Sequence, residues 1–460
     1  RSSGIFLSES NYLSFRMVLT HKLIIGGINM GKLLAAVKSI NITPPLGITL
    51  TGYQERDKGA AGIKDELFAK VLVLDDGQEK LVLVCTDLSG VGHDLTQSIR
   101  KIVEENSDIK GKNIMITASH THSGPAASRM EGNYSWMNIK GSEIDEAYYT
   151  LLRENIARAI LWANNELEEV AIGTGKGSLV GLGSNRQDPN KPFDHEVNVL
   201  RVDSKRGDQP IAVIVNYPCH PTVLSAENYL ISGDFPSYMA KGISRFFPGC
   251  EAMFMQGAAG DISTRHNRRE STFKEAKRMG EMLAGEVIKV MNQMCMTDEI
   301  DLTSFLLPLQ IPVREFEADE VCVKKIEDAK KALRRLQEEG APENIVRTAI
   351  VNLQGAERYY VLKQSLNFRE FNTEMQLFKL GKTAIVAVPA ELFNKIGQEI
   401  KSLSGKYNVI VAGYANDYVG YVLDAESYGE DSYEAGVSMV HKDAEKIIVN
   451  TAKELISMIR

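Results

Sequence analysis

Short apolar runs of strand length alternate along this chain with longer stretches whose apolar positions recur every three or four residues. That alternation admits few folds. LFAKVLVLDDGQEKLVLVCTDL (67–88) reads as two strands joined at an Asp-Asp-Gly turn. Leu95 to Glu104 then reads as a helix leading into the strand NIMITA, and EIDEAYYTLLRENIARAILWANNELE (143–168) as a long amphipathic helix. The strands VNVLRVD, PIAVIVNY and EAMFMQ follow, then a helix from Ser271 to about Met294. Further on come TEMQLFKL, TAIVAVP, a helix from Glu391, the strand YNVIVAG and a closing helix, Ala444 to Ile459. The pattern specifies an α/β fold: a mixed β-sheet core covered by helices. Residues 316–366 are charge-dense and helical and read as a solvated helical insertion.

At 460 residues the chain is long enough for a large core, and residues 30–460 are expected to form a single catalytic domain. Lys+Arg 53 against Asp+Glu 60 leaves a net charge of −7. With no basic stripe carrying interleaved aromatics, nucleic acid is not an expected partner. The 5 cysteines are scattered, without a CxxC pair, so neither a disulfide framework nor a cysteine zinc site is indicated. Residues 1–29 are expected to be a tag or translation upstream of a start at Met30. MVLTHKLIIGGINM is interrupted by His21 and Lys22, and its apolar run is too short to span a bilayer. The expectation is a cytoplasmic protein without stable membrane insertion.

Several familiar motifs fail. GTGKGS (173–178) has Gly177 where a phosphate loop needs Ser or Thr after the lysine, and it reads as a turn. There is no HExxH and no GxSxG. What remains is four polar clusters, each placed where an apolar run ends. They are SHTHSGP with His120 and His122, NYPCHPT with His220, QGAAGDISTRHNR with Asp261 and Ser263, and VPAELFNKIG with Glu391. In an extended chain residues i and i+2 share a side, so His120 and His122 are expected to face one pocket. Glu391 is expected in the first turn of a helix, where a carboxylate complements the dipole whether or not it binds anything. Any one cluster is explained by capping or a turn. Together, His, His and Glu at strand ends are a set that zinc takes when it keeps one position open.

These residues resemble the neutral/alkaline non-lysosomal ceramidases, in particular their N-terminal catalytic domain. The similarity runs from GYQERDKGAAGIKDELFAKVLVL to SYEAGVSM. It takes in SHTHSGP, Asn185-Arg186, NYPCHPT with a downstream SGD, GDIS and YVGYVLDAESYGEDSYEAG. The resemblance implies a zinc ion held by His120, His220, Glu391 and Tyr421. It also implies that His122, Arg186 and Tyr433 surround a scissile amide, with Ser263 matching a serine of the family's GDxS segment. The activity implied is a zinc-dependent amidohydrolase cleaving an N-acyl bond of a lipid or small-molecule substrate.

The chain departs from the family in two respects. Members commonly carry a C-terminal immunoglobulin-like domain, whereas this chain is expected to be a short form ending in a helix soon after SYEAG. After GDIS stand Thr264, Arg265, His266, Asn267 and Arg268 in place of the usual Pro and Asn. Basic residues there suit a polar or anionic substrate. The alternatives are a metal-dependent esterase or lactonase on a small polar substrate, since the same chemistry serves an ester, and a non-catalytic member that only binds a ligand.

Overall fold

The computed structural model describes residues 32–53, 55–125, 127, 129–130, 134–135, 145–366, 368–429 and 432–459. The expectation for residues 1–29 falls outside these described residues.

Two mixed sheets face each other. The larger is built from β1 (Leu34–Asn41), β2 (Phe68–Asp75), β3 (Lys80–Thr86), β4 (Ile114–Ala118), β5 (Glu168–Ser178), β6 (Glu196–Ser204), β7 (Gln209–Tyr217) and β8 (Glu251–Gln256). Its order across the sheet is β8-β7-β6-β5-β1-β2-β3-β4. The smaller contains β9 (Leu302–Pro312), β10 (Glu370–Leu380), β11 (Thr383–Ala387) and, after the two-residue strand β12 (Glu391–Leu392), β13 (Asn408–Ala412). Its order is β9-β10-β11-β13. One apolar layer lies between the sheets, where Leu72, Leu83, Leu200 and Met253 of the first meet Phe378, Ile385 and Ile410 of the second.

Helices cover the outer faces. α1 (His93–Asn106) and α2 (Glu146–Asn164) pack on one half of the large sheet, and α3 (Asp234–Phe246) and α4 (Phe273–Met291) on the other. α7 (Asn394–Ser402) and α9 (Ala444–Met458) cover the small sheet. The expected α/β architecture is therefore present, with a second sheet that the linear pattern does not separate from the first. Most strand pairs are antiparallel, but β3/β4, β7/β8 and β11/β13 are parallel. Each parallel pair is bridged by a helix, α1, α3 and α7 respectively. Such crossovers leave the carboxyl ends of the strands free to carry a site.

The expected turn at GTGKGS is instead the end of β5, paired with β6 from Gly173 opposite Arg201 to Ser178 opposite Glu196. Its alternate glycines face a helix rather than turn the chain. A Cβ on Gly175 would stand 2.8 Å from Val290, and one on Gly173 2.9 Å from the Cys295 carbonyl. Side chains on that face would push α4 and its trailing segment away. The helical pair also needs correction. α5 (Asp319–Glu338) is largely exposed, whereas α6 (Glu343–Ser365) turns Gly355, Arg358 and Leu362 inward, toward α8 (Tyr433–Val437).

Gly173→Val is expected to destabilise the fold by about 1–3 kcal/mol through overpacking against backbone, read as a lower urea midpoint. An unchanged midpoint would mean that α4 and the segment behind it shift freely.

Candidate metal centre

The polar clusters sit where the sequence places them, at strand ends, and the parallel pairs bring them together. His120 follows β4, His220 follows β7, Asp261 and Ser263 follow β8, and Glu391 lies between β11 and α7. One amide fastens three of these ends. The fully buried Gln256 donates from Nε2 to the carbonyls of Ser119 (3.0 Å) and Cys219 (2.9 Å). Its Oε1 accepts from the backbone N–H of Cys219 and of Gly257, each at 3.1 Å.

Three imidazoles converge beside this junction. The ring nitrogens of His120, His122 and His220 all lie within 4.8 Å of one another, a group able to hold a metal ion. His122 Nε2 is 3.1 Å from His120 Nε2. The sequence expectation that the two histidines share a pocket holds, but not through strand alternation. His120 has φ 66°, in the left-handed region, so the chain kinks at His120. Non-glycine residues held there are concentrated at functional sites.

Backbone carbonyls orient two of the rings. His120 Nδ1 lies 2.5 Å from the Ser89 carbonyl, and His220 Nδ1 2.6 Å from that of Ala259. A proton on each Nδ1 leaves the Nε2 lone pairs directed inward, an arrangement that metal-binding histidines share. The Glu391 carboxylate completes the cluster, with Oε2 3.1 Å from His220 Nε2 and 3.4 Å from His120 Nε2. Inward lone pairs and a carboxylate crowded around one point fit a bound cation.

Glu391 is not in a helix. It belongs to β12, which pairs in parallel with β14 (Tyr421–Val422), so that Glu391 stands opposite Tyr421. α7 begins only at Asn394, beyond the extended Phe393, and the dipole explanation for Glu391 falls away. Tyr418 donates to Glu391 Oε1, and the Tyr414 hydroxyl lies 3.4 Å from Oε2. Tyr414 also stacks on His120 with ring centroids 4.3 Å apart.

Arg186 closes another side. It pairs through Nε with Glu434, donates from Nη2 to the Tyr421 hydroxyl (2.9 Å) and places Nη1 3.5 Å from His220 Nε2. Ser263 is buried, and its backbone bridges those of His220 and Ser184. Tyr433, the first residue of α8, meets the Tyr421 ring edge-on at 6.3 Å. Its hydroxyl makes no hydrogen bond to a described residue. All the site residues expected from the sequence thus lie in or beside one cluster. Sequence reasoning misses Gln256, Tyr414, Tyr418 and Glu434, although the tyrosine-dense stretch from 414 to 433 carries a signal.

Burial dominates the electrostatics. It drives the His122 imidazole well below the ordinary range, helped by His120 and His220. It lowers His220 to about 4, with the Arg186 charge adding to the effect. Both rings are therefore neutral and able to coordinate at pH 7. Burial opposes ionisation of Glu391, yet the neighbouring histidines hold its carboxyl well below the usual range. Burial likewise opposes charge on Arg186, and Glu434 overcomes it. Burial pushes the Tyr433 phenol up to about 12, so it keeps its proton at neutral pH.

The profile of the neutral/alkaline non-lysosomal ceramidase N-terminal domain matches residues 36–267. The neutral ceramidase of Pseudomonas aeruginosa is 23% identical, with 85% of this chain and 67% of that protein covered. The neutral ceramidase of Mycobacterium tuberculosis is 26% identical over 46% of this chain, and only 37% of its own length is spanned. The crystal structure of the Pseudomonas enzyme superposes with a TM-score of 0.73 at 20% identity, covering 93% of this chain and 75% of that one. A ceramidase structure described as complexed with C2 gives 0.72 at 18% identity. These structural likenesses are likenesses of fold.

Cobalt(II) is expected to bind the purified chain at about one ion per chain, read by its visible absorption, and His120→Ala or His220→Ala to abolish that binding. Because burial lowers His220 to about 4, its proton does not compete with the ion at pH 5.5, and the ion should remain bound there. Release already near pH 6.5, the value of a free imidazole, would show that burial does not protect the site.

Proposed function

Because the chain belongs to the neutral/alkaline non-lysosomal ceramidase family, we propose that it is a zinc-dependent amidohydrolase. It cleaves the N-acyl bond of a ceramide-like lipid or of a smaller N-acyl compound. The observation that carries this reading is the meeting of His120 and His220 Nε2 with the Glu391 carboxylate, both imidazoles oriented from behind by backbone carbonyls. His120, His220, Glu391 and Tyr421 would hold the zinc, which when bound supplies Lewis acidity and lowers the pKa of water from roughly 15.7 toward about 7.

The remaining work falls to the protein. His122, kept neutral by burial, accepts the proton of the attacking water and delivers it to the departing nitrogen. The C–N bond breaks as the new C–O bond is retained, so that one amide and one water yield a carboxylic acid and an amine. Negative charge grows on the acyl oxygen in between. The Tyr433 hydroxyl, protonated and uncommitted, donates to that oxygen, as do N–H groups of Arg186 beyond those engaged by Glu434 and Tyr421. One such donor lowers the barrier by about 3–4 kcal/mol. Glu434 fixes the Arg186 plane, and the backbone of Ser263 pairs with that of His220.

The test is hydrolysis of matched N-acyl amides and esters by zinc-loaded protein, with product amine measured. Amide turnover is expected. Cleavage of esters alone would convert the reading to an esterase, and absence of turnover across the panel would leave a ligand-binding protein. His122→Ala is expected to retain zinc while kcat falls by about 10²–10⁴, and Tyr433→Phe to lower it by about 10²–10³. Glu391→Ala is expected to lose zinc, and undiminished metal would remove Glu391 from the ligand set.

A further inference from the structure

Four arginines are buried among the described residues: Arg56, Arg100, Arg186 and Arg358. Three have obvious partners. Arg56 donates to the carbonyls of Thr51 and His122, Arg100 pairs with Glu374, and Arg186 pairs with Glu434. Arg358 has none. It is only 4% exposed, yet its Nε and Nη2 make no hydrogen bond, and no carboxylate among the described residues pairs with it. A guanidinium is acceptor-free and carries five donors, so a buried one without a partner is costly to keep.

Its position explains why the fold retains it. Arg358 lies one turn beyond Gly355 on α6, on the same face. At Gly355 the helix approaches α8 so closely that a Cβ added at Gly436 would stand 2.9 Å from the Gly355 carbonyl. The titratable groups that neighbour Arg358 are the phenols of Tyr433 and Tyr418, both protonated and neutral at pH 7. Tyr418 is the residue that donates to Glu391, and Tyr433 meets Tyr421 edge-on. The unpaired guanidinium therefore lies on the side of α6 that faces α8, near two tyrosines of the metal centre. Burial lowers it to about 9, which leaves it charged at neutral pH.

We propose that Arg358 is a substrate-specificity residue that receives an anionic group, a carboxylate or its phosphate or sulfonate equivalent, carried by the N-acyl substrate. This rests on the amidohydrolase reading and narrows it, from N-acyl compounds in general to those bearing a negative charge close to the scissile amide. A neutral acyl chain would leave the guanidinium as unpaired as it is now. An oxyanion group satisfies its fork in two parallel hydrogen bonds. Arg265 and Arg268, which follow the GDIS segment, donate to the carbonyls of Arg186 and Thr222. Their guanidinium groups are therefore tied to backbone, whereas that of Arg358 is not.

The experiment compares three substrates on zinc-loaded protein: N-octanoylglycine, N-glutaryl-octylamine and the neutral N-octanoylethanolamine. The first two place the carboxylate on the amine side and on the acyl side. At least one of these should show a higher kcat/KM than the neutral amide. Arg358→Gln should lower that value roughly ten- to hundredfold, while the neutral amide changes less than about threefold. Arg358→Lys, which keeps the charge but loses the fork, should recover only part of it.

Equal losses on all three substrates would mean that Arg358 is structural and would overturn the proposal, as would a wild-type protein that prefers the neutral amide. Hydrolysis of none would end the amidohydrolase reading. Calorimetric titration of His122→Ala protein with the same three compounds then decides the inference independently. Anion-selective binding that Arg358→Gln abolishes supports it, and no such selectivity ends it.

Discussion

The Gln256 side chain holds the centre of this molecule together. Its amide spends its donors on the carbonyls that end β4 and β7 and its oxygen on two backbone N–H groups beside them. Three strand ends are thereby fastened to one buried group, and two of them go straight into His120 and His220. A buried amide with all its bonds made is rigid, and a partly satisfied one is costly. The geometry of the histidine cluster is thus inherited from a junction in the sheet rather than from the loops that carry it.

The third strand pair is brought in by the second sheet. Asn416, after β13, accepts from the Ile116 amide at 2.9 Å, returns its own amide to the Ile116 carbonyl at 2.8 Å and donates to Gln376. This ties the end of the small sheet to β4 and sets Tyr414 against His120. Glu391 arrives from the same sheet through β12. The site consequently straddles the seam between the sheets, and either sheet alone would hold only part of its polar groups. The left-handed conformation at His120, and at Tyr414 with φ 54°, is local strain of order 1–3 kcal/mol per residue. The surrounding hydrogen bonds hold it in place.

A cluster so deeply buried is dominated by desolvation. His122 and His220 are held neutral, the carboxylates of Glu391 and Glu434 survive only because cationic or hydrogen-bonding partners face them, and Tyr418 keeps its proton. Against that background Arg358 stands out, since burial there is not offset by an acid. Buried charges ordinarily come in pairs, and an exception next to a candidate catalytic centre is where a ligand can supply the missing half.

Much of this is legible in the order of residues alone. Apolar runs locate most of the principal strands, helical periodicity locates the long helices, and polar residues clustered at strand ends mark His120, His122, His220, Ser263 and Glu391. These signals are local, because period and burial face are written in neighbouring residues. At three places a distant element decides otherwise. The glycines of GTGKGS look like a turn, yet α4 packs on them as a strand. Glu391 looks like a helix start, yet Tyr421, thirty residues on, captures it into a ladder. The second helix of the charged pair looks solvated, yet α8 draws Arg358 inward. The α/β class, the order of elements and the chemistry of the available side chains are thus carried by local pattern. Which of those side chains meet, in what protonation state and with which charge left unpaired, is settled in three dimensions, because convergence and desolvation come from residues hundreds of positions apart packing against one another.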